Sequence, residues 1–386
     1  MKPDKSTISV TERAEYIYEL ITLYMKRIFT AVMALIISLA IYAQPKDVKL
    51  HFTEGYDLNL IGKIIDTPNP YHRVDTERYK GFTEGEIKQL KSSSGLAIAF
   101  KTNSRIITVK SDYGYRNRNV NTMGIALRGY DLYIKNAEGE WTYAIAKAPQ
   151  ENAENKNLVL IRDMDQSMKE CLLYLPLYSE EFSVKIGTEK DSEIVPLEAP
   201  FRHRVGIFGS SYTQGISCSR PGMTYPAQFT RNTGIQLLSL GCSGNCKLQD
   251  YFATVLCDAD VDAFIFDSFS NPSPEQVKER LFPFIETLQK AHPGIPLIFQ
   301  QTIYREGRNF SNATDKYEQS KIDLVESMMN EACKKYKDVY FIHPNASNDR
   351  QDTSVDGIHP DNHGYYLWAK SIEKPVLKIL KKYGIK

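Results

Sequence analysis

The sequence predicts an α/β fold, a doubly wound parallel sheet, preceded by an antiparallel β-sandwich or jelly roll. Short strand-like runs fill residues 44–200 of the 386-residue chain, and nearly continuous apolar runs spaced by helical stretches fill 201–386. Strands covered by helices on both faces read as unbroken apolar sequence, whereas half-exposed antiparallel strands alternate. A separate N-terminal segment, residues 1–43, precedes both.

That segment is read as an export signal. From Met25 the chain reads "MKRIFTAVMALIISLAIYAQ". Lys26 and Arg27 precede an apolar run from Ile28 to Ala43, and Ala43-Gln44 offers a cleavage point, the build of a secretory signal peptide. The run is shorter than the ~20 residues of a spanning helix. An uncleaved anchor or a buried helix is the competing reading. No cysteine follows the cut, so neither lipid attachment nor a stable membrane anchor is expected after signal removal. Residues 1–24 precede an internal methionine able to start the signal and are read as an over-long start. The expected location is exported, periplasmic or secreted. A net charge of +1 gives no electrostatic ground for nucleic-acid binding.

Export places Cys171, Cys218, Cys242, Cys246, Cys257 and Cys333 in an oxidising setting. No C-x-x-C pair occurs, so a structural zinc is not expected. Spacing leaves open a disulfide among Cys218, Cys242 and Cys246, or free buried thiols.

In the first half, "GLAIAF", "RIITVK", "YDLYIK", "WTYAIA", "NLVLI", "CLLYLPLY" and "FSVKIG" follow one another at short intervals across polar turns. Aromatic and β-branched enrichment with period two predicts antiparallel strands. In "WTYAIA", Trp141, Tyr143 and Ile145 are expected on one face. The alternation is imperfect in places, which leaves the topology open.

In the second half, "RVGIF", "IQLLSLG", "AFIFDSF", "PLIFQQT" and "VYFIHP" are the predicted parallel strands. Ser273-Pro274-Glu275 opens a helix with a capping residue and a first-turn proline. A second helix is expected to bury Ile322, Val325, Met328, Met329 and Ala332 as one stripe. Ligands of such a sheet bind outside the carboxyl ends of its strands.

Two clusters there carry chemistry. "VGIFGSSYTQG" ends a strand on Ser210 and Ser211, and a serine so placed faces the binding crevice. "SVDGIHPDNHG" sets Asp356 three residues before His359, close enough for a carboxylate to fix the imidazole tautomer and leave its other nitrogen as a base. Taken singly, each is also what an ordinary polar turn provides. Asp361 and His363 lie near, but a complete metal-ligand set is not evident.

"GSSYTQG" followed by "LSLGCSGN", "FIFDSFSNP" and "DGIHP" resembles, in order, the four blocks of the SGNH/GDSL hydrolases. The resemblance covers roughly 200–386 and implies a flavodoxin-like sheet and a cofactor-free, metal-free serine hydrolase. It assigns Ser211 as nucleophile, His359 as base and Asp356 as its partner. The oxyanion donors it implies are the Ser211 N–H, the Gly244 N–H and the Asn271 side chain. Two departures stand out: Ser210 replaces the usual aspartate, and Phe269-Ser270-Asn271-Pro272 replaces G-x-N-D. "GYDLY" (129–133) and "SRPGMTYP" (219–226) further resemble a bacterial branch with an N-terminal G-x-D-L-Y β-domain.

The expectation is therefore an exported esterase removing short acyl groups, acetyl foremost, from an oligosaccharide or polysaccharide. A lipid or thioester acylhydrolase of the same fold and a non-catalytic glycan-binding protein are the alternatives. The sequence sets no oligomeric state.

Overall fold

The computed structural model describes residues 10–42, 48–150 and 157–386. Met1–Lys49 and Leu50–Lys386 cluster as separate units. In the first, α1 (Val10–Tyr42) is one helix. Among the described residues no helix is long and apolar enough to cross a membrane. The expected cleavage point, Ala43-Gln44, lies outside the described residues.

The second unit starts with β1 (Leu50–Glu54), β2 (Asn59–Ile61), α2 (Glu84–Leu90), β3 (Ala97–Thr102) and β4 (Ile107–Arg116). It continues through α3 (Gly124–Arg128), β5 (Tyr130–Lys135), β6 (Trp141–Lys147), β7 (Leu158–Ile161), β8 (Lys169–Tyr174), β9 (Ser179–Glu189) and β10 (Ile194–Pro196). These strands form two antiparallel sheets, β1-β9-β4-β7 and β10-β3-β8-β5-β6, with β2 beside β3. Ile98, Phe100, Val109, Leu132, Leu173 and Ile186 fill the space between them.

The α/β half follows as β11 (Arg202–Gly209), α4 (Ser211–Gln214), α5 (Tyr225–Thr233), β12 (Ile235–Gly241), α6 (Asp250–Cys257) and β13 (Ala263–Asp267). It ends with α7 (Pro274–Ala291), β14 (Leu297–Gln300), α8 (Asn312–Lys335), β15 (Val339–Ile342) and α9 (Asn362–Leu380). The sheet is parallel, in the order β12-β11-β13-β14-β15. Its side chains still divide by period two. Phe208, Phe264, Phe266 and Phe299 pack under α6, α7 and α8, while Val205, Ile207, Ile265 and Ile298 pack under α5 and α9. Strand order reverses between β11 and β13, the crevice where such sheets bind ligands.

The second sandwich sheet is also buried on its outer face. Ala97, Ala99, Tyr133, Leu172 and Tyr174 pack there with Phe201 and with Ala227 of α5. Double coverage explains why "GLAIAF" and "CLLYLPLY" barely alternate. One expected face is corrected. Leu132 pairs with Ile145 and Tyr133 with Tyr143, so Ala144 is an extra residue in a β-bulge. Trp141 and Tyr143 therefore face the α/β half, and Ile145 turns into the sandwich core.

The remaining expectations resolve simply. Ser273 caps α7 with Pro274 in its first turn. On α8, Val325, Met329 and Ala332 are buried, but Ile322 and Met328 are only half-buried, and Glu318 and Lys321 complete the inner stripe. The six cysteines are free thiols. Burial pushes Cys171 and Cys242 up to about 12, which leaves them inert at neutral pH.

The two halves meet through a buried ion pair. Asp131 of β5 is fully buried and accepts two hydrogen bonds from Arg220 Nη1, at 2.9 and 2.7 Å, and one from the Gly222 N–H at 2.8 Å. Tyr133 Oη accepts from the same Arg220 nitrogen at 2.7 Å, and the Arg231 guanidinium lies 4.0 Å over the Tyr133 ring. "GYDLY" and "SRPGMTYP" are thus two sides of one junction.

Two stability predictions follow from these buried carboxylates. Asp131→Ala strands Arg220 and is expected to cost about 3–5 kcal/mol in urea unfolding, against about 1 kcal/mol for Tyr133→Phe. Glu181 of β9 is fully buried, and burial raises its carboxyl to about 7 despite hydrogen bonds from Tyr130 and Ser111. The folded state therefore holds this proton in a range where the unfolded chain has released it, and stability falls as pH rises from about 4.5 to 7. Glu181→Gln should flatten that decline, by about 3 kcal/mol at pH 8, in unfolding curves measured from pH 5 to 8.

Candidate active site

Gly209 closes β11 where a Cβ would lie 2.0 Å from Thr213 Oγ1, so only glycine fits the turn. Ser210 then caps α4: its hydroxyl accepts the Tyr212 N–H at 3.2 Å and donates to Asp267 Oδ2 at 2.9 Å. Ser211 opens α4, with 6% of its surface exposed. Its N–H sits in the first helical turn, where no carbonyl four residues back accepts it.

His359 meets Ser211 and not Ser210. Nε2 lies 3.1 Å from Ser211 Oγ, and Nδ1 lies 2.8 Å from Asp356 Oδ2. Asp356 Oδ1 accepts the Ile358 and His359 N–H groups at 3.1 and 2.8 Å, while Asn121 Nδ2 donates to Oδ2 at 2.8 Å. Partial burial alone raises this carboxyl, but the donors outweigh it and bring Asp356 down to about 2. It stays ionised across any ordinary assay range. The edge of the His359 ring stands against Tyr212, with ring centres 5.6 Å apart.

The other two blocks converge on one loop. Gly244, after β12, is exposed and has φ +73°, with no neighbour within 4 Å of a Cβ position. Two residues on, the Cys246 N–H donates to Asn271 Oδ1 at 3.3 Å, which leaves Asn271 Nδ2 as the free end of its carboxamide. The turn is held from the sandwich side. Gln89 Nε2 donates to Ser243 O at 2.9 Å, and Tyr178 Oη lies 2.6 Å from Ser243 Oγ.

Several supporting residues escaped the sequence reading. Asp267 is buried beneath Ser210, and burial pushes its carboxyl up to about 6 against hydrogen bonds from Ser210, Thr213 and Ser270. Its place at the end of an apolar strand was the available signal. Arg305 Nη2 and Lys321 Nζ both donate to Ser270 O, at 2.8 and 3.2 Å, so two cations anchor the backbone that the missing G-x-N-D left in question. Arg305 Nε also donates to Tyr212 Oη at 3.0 Å, and Nη1 pairs with Glu318 at 2.7 Å. Glu306 accepts from Thr353 and Ser354, and the Gly307 N–H donates to Gly357 O at 2.7 Å. One stretch, 305–307, thereby fastens both the Asn271 loop and the Asp356 loop. No sequence pattern marked it. Among the described residues no group of three or more His, Cys, Asp or Glu is placed to hold a metal ion.

Comparison with known proteins agrees with this architecture. The profile of the GDSL-like Lipase/Acylhydrolase family matches residues 202–378, and that of the N-terminus of SGNH-hydrolase-type esterases matches 50–194. No curated protein matches the chain. A GDSL-like lipase structure from Bacteroides ovatus is 37% identical with a TM-score of 0.82, covering 86% of this chain and 98% of its own. A salicylyl-acyltransferase from a tetracycline biosynthetic pathway shares the fold at 17% identity and TM-score 0.65, over 87% of this chain and 99% of its own. A family two carbohydrate esterase from Cellvibrio japonicus does so at 10% and 0.58, over 86% and 98%. With both halves matched and the four blocks gathered at one crevice, this chain belongs to the GDSL-like lipase/acylhydrolase family of SGNH hydrolases, in the branch that carries an N-terminal G-x-D-L-Y domain.

Proposed function

We propose that the protein is an exported serine esterase that removes short acyl groups, acetyl foremost, from carbohydrates. The observation that carries this reading is the imidazole of His359 bridging Ser211 Oγ and Asp356 Oδ2. His359 takes the Ser211 proton as the hydroxyl attacks the ester carbonyl, and Asp356 stabilises the imidazolium that forms. The Ser211 N–H, the Gly244 N–H and Asn271 Nδ2 receive the oxyanion. The alcohol leaves with the proton from His359, and water repeats the sequence on the acyl-enzyme. The carbohydrate half of the proposal is supported by the fold shared with family two carbohydrate esterases, one of them, from Clostridium thermocellum, solved with cellohexaose. Export is supported by the basic-then-apolar pattern from Met25 to Ala43, which is built like a signal peptide.

A second reading, hydrolysis of longer acyl chains, rests on apolar side chains near the catalytic loop. Val120 and Met123 flank Asn121, Val355 and Ile358 flank Asp356, and all four are exposed although Asn121 and Asp356 touch.

Acetate release from acetylated xylan and cello-oligosaccharides, with a nitrophenyl ester series from acetyl to octanoyl, separates the two. Rates highest on acetyl esters are expected; a steady rise with chain length would favour the second reading. Ser211→Ala should lower kcat about 10⁴-fold or more and abolish fluorophosphonate labelling. A labelling-inert wild type would instead point to glycan binding alone. Asn271→Ala should cost about 3 kcal/mol in the barrier, read as a 10²–10³-fold fall in kcat.

A further inference from the structure

The last donor on Asp356 comes from the opposite half of the molecule. Three of its four hydrogen bonds arise within its own turn, from the Ile358 and His359 N–H groups and from His359 Nδ1, and can shift together with it. The fourth, Asn121 Nδ2 at 2.8 Å, belongs to the loop between β4 and α3 of the sandwich. That carboxamide is itself oriented. Thr122 Oγ1 donates to Asn121 Oδ1 at 3.3 Å and accepts the Ser217 N–H at 2.9 Å, which pins the loop beside the end of α4. Thr122 is buried.

We propose that Asn121 is a positioning residue for catalysis: the β-sandwich supplies the external tie that holds Asp356 Oδ2 toward His359 Nδ1. Asn121 touches no reacting atom. It acts through Asp356, by fixing the rotation of the carboxylate and sharing its negative charge at the oxygen that orients the imidazole. The titratable group in contact with Asp356 is His359, and its charge is among the leading influences on this carboxyl. This inference rests on the proposed Ser211–His359–Asp356 mechanism and extends it to a residue outside the motifs.

The test is steady-state hydrolysis of p-nitrophenyl acetate by the full chain carrying Asn121→Ala or Asn121→Asp, from pH 5 to 9, with melting temperatures measured alongside. Asn121→Ala is expected to lower kcat about 3–10-fold with KM within twofold, since a hydrogen bond to a charged group is lost at a half-exposed site. Asn121→Asp sets a second carboxylate against Asp356. Its kcat should fall below that of Asn121→Ala at pH 8 and recover relative to wild type toward pH 5, where a proton shared between the two carboxyls restores the donor. A loop that merely packs would raise KM as well as lower kcat, with one ratio to wild type at every pH. Wild-type kcat in Asn121→Ala, or an Asn121→Asp to wild-type ratio that does not change with pH, overturns the inference. Ser211→Ala in the same assay keeps the two questions apart. If that variant still turns over, the underlying mechanism is wrong; if it is dead while both Asn121 variants behave as wild type, only the role of Asn121 falls.

Discussion

A carboxylate without access to water governs how the two halves of this chain meet. Asp131 sits on the outer face of a sandwich sheet, and Arg220 and the Gly222 N–H of the α/β half, with the nearby Arg231 charge, compensate for its lost hydration. A charge so buried tolerates little displacement of its partner, because breaking the pair leaves an ion in low dielectric. The junction is therefore held in one register. Contacts that the sandwich makes with the catalytic loops, Gln89 and Tyr178 on the Ser243 turn and Asn121 on Asp356, inherit that register.

The crevice beneath Ser211 is built in a similar way. Asp267, Arg305, Glu318 and Lys321 are all largely buried: Asp267 accepts from the capping Ser210, Arg305 and Lys321 donate to the Ser270 carbonyl, and Glu318 pairs with both of those cations. Replacing such groups by apolar side chains often leaves a protein no less stable. Their value here lies in aim. Two cations on one carbonyl, that of Ser270, fix the chain direction just before Asn271, where Ser-Asn-Pro offers no glycine to make the turn by itself.

Much of this was legible in the sequence, and the parts that were not share a cause. Continuous apolar runs announced a doubly covered parallel sheet, and the resemblance carried by four short blocks pointed to Ser211, Asp356 and His359, which lie in hydrogen-bond contact, with Gly244 and Asn271 expected beside them. In the sandwich a sheet hidden on both faces loses its alternation, so period two said less there about facing, and an inserted Ala144 turned Ile145 inward without any mark in the composition of "WTYAIA". Arg305, Glu306 and Asn121 were invisible for a different reason. Each is a single polar residue in a polar loop whose bond to the Asn271 or Asp356 loop spans 35 to 235 positions along the chain, and neither periodicity nor local spacing records such a meeting.

The 117–123 loop makes the sandwich a party to the geometry of the catalytic turn. With Asn121 in the role proposed above, a sandwich grafted from a distant homologue would bring its own loop to Asp356 and so alter turnover. Shuffling would succeed where the foreign loop carries an amide donor at the same reach, and elsewhere would yield folded but sluggish hybrids.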